Sequence, residues 1–382
     1  MRVPYNYLPQ QFNDEETEVI LDKLRALVKT SDFTLGLPVV EFEDRLKKML
    51  GVEYVIGTNS GTEALTLALR AFNIGPGDEV ITQANTFYAT ACAIVAVGAR
   101  PVFVDVDECY AIDETKIEAA ITPRTRALMP VWWTGLSPNW PPILDIAARH
   151  RLVVIEDACN AFGAMFEGKP PGSFGHAAAF SLHPLKQLHV WGDGGAVVTN
   201  DERAGKWLRL YRNYGLANRD ELAVWGVNAR LQSVQAIVAL HQLDKLEDAV
   251  TRRNAIAAAL DHGLRYIPQI TVPPRPANRR QAFQIYVVRA LHRDALLVDL
   301  TDNYVEAKVH YPVPLHLQGP ARALGYRPGD CPVAEQQASE ILTLPCHEFL
   351  NTSGVPGEDM VTHMIWQIRW FYEQDGFFSD TP

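Results

Sequence analysis

Three groups of residues in the first half of the chain could do chemistry. Lys186 follows His183-Pro184-Leu185 and lies among Leu182, Leu185, Leu188, Val190 and Trp191, just ahead of Gly192-Asp193-Gly194-Gly195. A lysine on open surface is inert, but one kept from water gives up its charge more readily. It can then act as a nucleophile or a Schiff-base former. Asp157 closes the run Val153-Val154-Ile155-Glu156, which reads as a strand. In an open parallel sheet, ligands gather at the carboxyl ends of strands; a helix cap or a buried salt bridge is the plain alternative. Ser60-Gly61-Thr62 opens a helix-forming run over residues 64–72. Free N–H groups and the helix dipole favour an anion there, although simple capping explains Ser60 or Thr62 as well.

Taken together the groups say more than each alone. A phosphate cradle, a strand-end carboxylate, and Ser181 five residues before a lysine in an apolar loop are what pyridoxal 5'-phosphate needs. The lysine forms the internal aldimine, the carboxylate keeps the pyridine nitrogen protonated, and the helix terminus and hydroxyls hold the phosphate. The glycine cluster lacks G-x-G-x-x-G spacing and does not lead a strand into a helix, so it is no dinucleotide fingerprint.

Positioning these groups requires strands alternating with helices. The apolar spacing predicts helices over 15–28, 39–50, 64–72, 89–97, 114–121, 143–150 and 202–214. It predicts strands over 54–58, 80–82, 101–104, 127–131, 152–155, 177–180 and 195–199. Such alternation argues for a mostly parallel sheet covered by helices on both faces. Beyond it, 240–264 reads as one helix, Pro273-Pro274-Arg275-Pro276 breaks the chain, and 283–290 is a β-rich run. The expected organisation is a large cofactor domain over 1–250 and a smaller α+β domain over 251–382, the latter joined by the N-terminal helices.

Composition excludes other classes. The 382 residues carry 35 Lys and Arg against 45 Asp and Glu, a formal charge of −10 that disfavours nucleic acid. The 47% hydrophobic content is ordinary for a globular chain. Five scattered cysteines build no disulfide framework. The beginning of the chain has no apolar signal core, and the apolar stretch at 91–99 is half a membrane span. A cytoplasmic protein without a membrane partner is expected. His183, His189, His310 and His316 form no metal-binding pair by spacing, so no metal is expected.

The order and spelling of the motifs resemble the DegT/StrS-type sugar aminotransferase family, of the aspartate-aminotransferase fold (fold type I). The matching segments begin with Asn59-Ser60-Gly61-Thr62-Glu63-Ala64-Leu65, Gly75-Pro76-Gly77-Asp78-Glu79-Val80-Ile81 and Asn85-Thr86-Phe87-Tyr88-Ala89-Thr90. They continue with Ile155-Glu156-Asp157-Ala158-Cys159-Asn160, Ser181-Leu182-His183-Pro184-Leu185-Lys186, Gly192-Asp193-Gly194-Gly195, Gly226-Val227-Asn228-Ala229-Arg230 and His310-Tyr311-Pro312-Val313-Pro314-Leu315-His316. The resemblance implies that Lys186 is the aldimine lysine and moves the proton, that Asp157 pairs with the pyridine nitrogen, and that Phe87 stacks on the ring. It implies that Ser60, Gly61, Thr62 and Ser181 bind the phosphate and that Asn160 faces the ring hydroxyl. Asn228 would reach the cofactor of the neighbouring subunit, making a homodimer with shared active sites. His183, His310, Tyr311 and His316 would lie on the sugar side. The activity implied is transfer of an amino group from an amino acid, glutamate by resemblance, to a keto-sugar, nucleotide-linked and 3-keto by the same resemblance.

Departures from the family pattern bear on the substrate. Asn160 stands where the family has Gln, Leu182 where it has Phe, and Trp132-Trp133-Thr134 replaces a His-x-Tyr type of segment. Glu306-Ala307-Lys308 is also unusual. Three alternatives stay open: a sugar lyase or dehydratase, a non-catalytic regulatory protein on the same scaffold, and a keto-cyclitol or sugar-phosphate substrate. Relatives that dehydrate carry histidine at the lysine position, so Lys186 speaks against the first.

Overall fold

The short apolar runs become one seven-stranded sheet. In the computed structural model, which describes residues 1–352 and 359–374, the strands are β1 (Tyr54–Thr58), β2 (Glu79–Gln83), β3 (Arg100–Val104), β4 (Thr125–Met129) and β5 (Val153–Asp157). After the two-residue β6 (Met165–Phe166), which lies outside this sheet, come β7 (Ala177–Ser181) and β8 (Gly195–Thr199). The order is β1-β8-β7-β5-β4-β2-β3. Every pair from β7 to β3 is parallel, and only β8 runs against its neighbours. Strands buried on both faces read as continuous apolar runs, and every residue of β2, β7 and β8 is buried.

Each face of the sheet has its own core. Helices Gly61–Ala71, Tyr88–Ala96 and Glu202–Tyr211 fill one, through residues such as Leu65, Ile94 and Leu208. Helices Asp14–Thr30, Leu37–Leu50, Trp140–His150 and Ser233–Leu243 fill the other, through Ile20, Phe42, Ile143 and Val238. The N-terminal helices therefore pack on the large sheet, not on the small domain; only the extreme N-terminus crosses over, where Val3 bridges to Val305. The reason is the apolar stripe of each helix, which meets Ser233–Leu243.

The small domain is a three-stranded antiparallel sheet, β12-β11-β9, of β9 (Ile270–Thr271), β11 (Tyr286–Ala290) and β12 (Ile341–Leu344). A further strand β10 (Arg279–Arg280) pairs with β6. Helices Arg293–Asp302 and Met360–Gln374 cover the small sheet. The stretch expected as one helix over 240–264 is two, Ser233–Leu243 and Leu246–Leu264. The expected boundary at 250 falls inside the second helix: Leu246 and Val250 belong to the large core, Ile256, Leu260 and Leu264 to the small one. No helix among the described residues is long and apolar enough to cross a membrane.

The paired tryptophans divide at this level. Trp132 is fully buried against the stacked pair Trp140 and Phe174, and its Nε1 donates to Glu156 Oε2 at 3.2 Å. Glu156 also accepts from the Phe174 and Gly175 amides at 3.0 and 2.8 Å. Burial nevertheless pushes its pKa up from 4.5 to about 6. The folded chain then holds a proton that the unfolded chain has lost, so stability from this group falls as pH rises from 4.5 through about 6. Glu156→Gln is expected to flatten that part of the stability curve, read as the denaturant midpoint across this window.

Candidate active site

Parallel strands bring their carboxyl ends to one edge, and the chemistry-bearing residues sit there. Asp157 ends β5 and Ser181 ends β7. Gly195 opens the reversed strand β8 and pairs with both Ser181 and Thr58, the last residue of β1. Two residues after β1, Ser60 caps the helix Gly61–Ala71, its Oγ accepting from the Glu63 amide at 3.1 Å. Glycines let this helix approach the sheet. A Cβ on Gly61 would lie 2.6 Å from Ser181 Cβ, and one on Gly195 would lie 2.4 Å from the Ser60 carbonyl oxygen. The result is a cradle of helix amides and hydroxyls, at the end of the helix that favours an anion.

The cradle forms one end of a cavity of about 410 Å³, within the size range of small-molecule sites. Ser60, Gly61, Thr62, Phe87, Asn160, Ser181, His183, Lys186, His310 and Tyr311 all line it. Asp157 lies beside it, next to the lining residue Cys159, and is buried. The Lys186 amine donates to Asn160 Oδ1, and Asn160 Nδ2 in turn donates to the Trp133 carbonyl. Loss of hydration pulls the Lys186 ammonium below its ordinary value. Asp157 accepts from the Thr90 hydroxyl at 2.7 Å and from the Cys159 amide at 3.2 Å. Burial is the largest influence on this carboxyl and raises its pKa. Phe87 follows β2, caps the helix Tyr88–Ala96, and is 50% exposed.

The other end of the cavity is aromatic. The Tyr311 ring lies 6.1 Å from Phe87 and 6.3 Å from Trp133. Trp133 is thus the pocket tryptophan and Trp132 the core one. His310 stacks on Tyr5 at 5.8 Å, and its Nδ1 is 3.1 Å from Thr343 Oγ1. Burial lowers its pKa to about 4, so the ring is neutral at physiological pH. His183 is exposed, and its Nδ1 accepts from the Leu185 amide.

His316 is not brought into the cavity, and Asn228, expected at the neighbouring subunit's site, does not line this one. His316 lies in the 3-10 turn Leu315–Leu317, fully buried, with Nε2 2.9 Å from Glu335 Oε1 and its ring 6.3 Å from Tyr326. That corrects its placement on the sugar side: the turn aims it into a satellite core. Asn228 is exposed on a loop away from the cavity, its Oδ1 accepting from Arg230 Nε at 2.9 Å. Conversely, Tyr5, Tyr7, Trp133, Arg253, Gln284 and His347 line the cavity without having been assigned to it. Thr90 stood in a quoted motif, but nothing in its spacing pointed to Asp157.

These residues fit pyridoxal phosphate. A buried carboxyl held by a neutral hydroxyl, an amide and the Cys159 thiol, with Lys186 as its positive neighbour, is stabilised further by a protonated ring nitrogen. The close approach that the missing Cβ of Gly61 allows sets the helix N-terminal amides beside Ser181, a set of donors suited to a phosphate. Lys186 presents an amine of lowered basicity in the same cavity. Among the described residues no group of three or more His, Cys, Asp or Glu is placed to hold a metal ion.

Comparison with known proteins extends this. The model of the DegT/DnrJ/EryC1/StrS aminotransferase family matches residues 14–357. The "Pleiotropic regulatory protein" of Geobacillus stearothermophilus is 37% identical over 375 residues, 97% of this chain and 99% of the relative. The UDP-2-acetamido-2-deoxy-3-oxo-D-glucuronate aminotransferase of Pseudomonas aeruginosa is 36% identical over 341 residues, 88% of this chain and 94% of the relative. The crystal structure of S. venezuelae DesV in complex with a ketimine intermediate superposes with a TM-score of 0.93 at 35% identity, covering 98% of this chain and 99% of that one.

Proposed function

We infer the reaction from the premise that the chain belongs to the DegT/DnrJ/EryC1/StrS aminotransferase family. It is a pyridoxal-phosphate-dependent sugar aminotransferase that moves the amino group of an amino acid, glutamate, to the carbonyl carbon of a nucleotide-linked keto-sugar. The observation that carries this is the meeting of Lys186, the Asp157 carboxyl and the Gly61 cradle at one sheet edge. The 3-oxo sugar named for the Pseudomonas aeruginosa relative supports a 3-keto acceptor.

When bound, pyridoxal phosphate supplies a carbonyl carbon that carries nitrogen and a ring that withdraws electrons from the carbon losing its proton. Ser60, Gly61, Thr62 and Ser181 would hold the phosphate, Asp157 would keep the ring nitrogen protonated, and Phe87 would cover a ring face. Lys186, its amine oriented by Asn160, takes the proton from the donor's α-carbon. It returns a proton to the sugar carbon in the second half of the cycle. Donor and acceptor use the same amine in turn, which gives ping-pong kinetics. His310 and Tyr311 contact the sugar, with His183 at the rim.

The active unit is a homodimer in the cytoplasm. Trp225 is 87% exposed, near Asn228 on its loop. An apolar groove of about 910 Å³ lies between the helix Tyr88–Ala96 and residues 315–324. Both features suit coverage by a second copy that brings its Asn228 to this site. Five free cysteines suit a reducing compartment.

The test is amino transfer from glutamate and from glutamine against a panel of nucleotide-linked and free keto-sugars; failure with every acceptor would sink the reading. The printed name of the Geobacillus stearothermophilus relative keeps a regulatory role in view. Cofactor binding without turnover on the panel would favour it. His310→Ala is expected to raise the acceptor KM roughly tenfold, the worth of one hydrogen bond, and to leave the cofactor's absorbance band in place. Loss of the band would assign His310 to the cofactor or the fold instead.

A further inference from the structure

Lys186 lies in a loop outside any helix or strand, yet three consecutive carbonyls there are each held by a side chain. Gln11 Nε2 donates to the Pro184 oxygen at 2.6 Å. Tyr7 Oη and Gln284 Nε2 donate to the Leu185 oxygen at 3.2 and 2.8 Å. His189 Nδ1 lies 2.9 Å from the Lys186 oxygen, and since a carbonyl only accepts, the nitrogen is the donor.

Tyr7 and Gln11 come from the N-terminal segment, which is itself anchored on the small domain. The Val3 amide donates to the Tyr304 oxygen at 2.8 Å, Arg2 pairs with Glu306 at 2.7 Å, and the Tyr5 amide donates to Glu306 at 3.0 Å. The phenol of Tyr7 joins the two anchors. Arg253 Nη2 donates to it at 2.7 Å, while Arg253 Nε pairs with Glu348 at 2.7 Å and Nη1 donates to the Phe283 oxygen at 3.1 Å. A guanidinium has no acceptor, so the single phenolic proton is directed to Leu185. The Tyr7 ring is locked by stacking on His347, centroids 4.7 Å apart. Each bond from Glu348 through Arg253 and Tyr7 to Leu185 therefore has one direction.

We propose that the N-terminal segment positions Lys186, with Tyr7 and Gln11 as positioning residues that hold the lysine loop in register with the small domain. The inference rests on the reading of Lys186 as the reactive amine. An amine misplaced by a fraction of an ångström loses rate without any loss of fold.

Tyr7→Phe keeps the ring and deletes both phenolic bonds. Two readings are taken: the pH profile of Lys186 acetylation by acetic anhydride in cofactor-free protein, followed by mass spectrometry, and the pH titration of the visible band in holoenzyme. Both midpoints are expected to move from wild type, with kcat down roughly 10- to 100-fold, donor KM within about twofold and the melting temperature nearly unchanged. Gln11→Leu is expected to move the midpoints in the same direction by less, and supplies the same readings should Tyr7→Phe not fold. Unchanged midpoints overturn the proposal, whether or not the melting temperature falls. A wild-type protein with no visible band would instead overturn the cofactor reading, and the acetylation profile would still decide the positioning.

Discussion

Changing Lys186 to alanine is expected to lower kcat for amino transfer by about four orders of magnitude, the upper range for loss of a positioned acid–base group. It should also abolish the cofactor adduct that borohydride fixes on the wild-type chain. The size of the effect follows from how little else could substitute. Among the basic residues lining the cavity, Arg253 is engaged by Glu348 and Tyr7. His310 and His347 are both held neutral with pKa values of about 4, the first beside Thr343 and the second with its Nε2 2.9 Å from the Pro4 oxygen. His183 is exposed at the rim and turned to its own loop. Lys186→Arg is expected to be as inactive as alanine, because a guanidinium keeps its proton. Steady-state rates and mass spectrometry of the reduced protein check both variants; substantial residual turnover would move the proton transfer to another group.

Asp157→Asn is expected to cost about 100- to 1000-fold in kcat, in line with the loss of one preorganised electrostatic partner in a dry site. The amide is nearly isosteric: its oxygen can accept from the Cys159 amide while its NH2 donates to the Thr90 hydroxyl, which can accept, so the fold should survive. What disappears is the negative charge facing the ring nitrogen. Because burial raises the pKa of this carboxyl, the cofactor-free protein is expected to lose the charge at a higher pH than an ordinary aspartate would. Thr90→Val removes one stabilising hydrogen bond from the carboxylate and is expected to raise that pH further, with a smaller loss of rate. Cofactor affinity measured against pH in the wild type, Thr90→Val and Asp157→Asn separates these effects. An Asp157→Asn enzyme with wild-type kcat would remove Asp157 from the chemistry.

The parts of the site that depend on strand ends were legible in the residues. Asp157, Ser181 and Ser60 follow runs whose period and burial leave one choice of element, and parallel strands put such ends on one edge. Lys186 was legible through its apolar neighbours. The parts made by distant chain segments were not. Tyr7 meets Leu185 across 178 residues and Arg253 across 246, and no local pattern encodes such a meeting. Trp132 and Trp133 are adjacent and identical in type, so only the direction of each side chain beyond β4 decides that one reaches Glu156 and the other the cavity. His316 carried a family motif, yet the short turn around it points the ring at Glu335. The break between Ser233–Leu243 and Leu246–Leu264 was hidden because apolar residues on both sides serve the same core.

The most direct measurement is the first half-reaction in isolation. Holoenzyme is mixed with glutamate and no acceptor, and released 2-oxoglutarate and the visible band are followed together. The expected result is one equivalent of 2-oxoglutarate per active site with loss of the band, and recovery of the band when the nucleotide-linked keto-sugar is added. A band untouched by glutamate and glutamine, in protein that holds the cofactor on Lys186, would contradict the assignment as an aminotransferase.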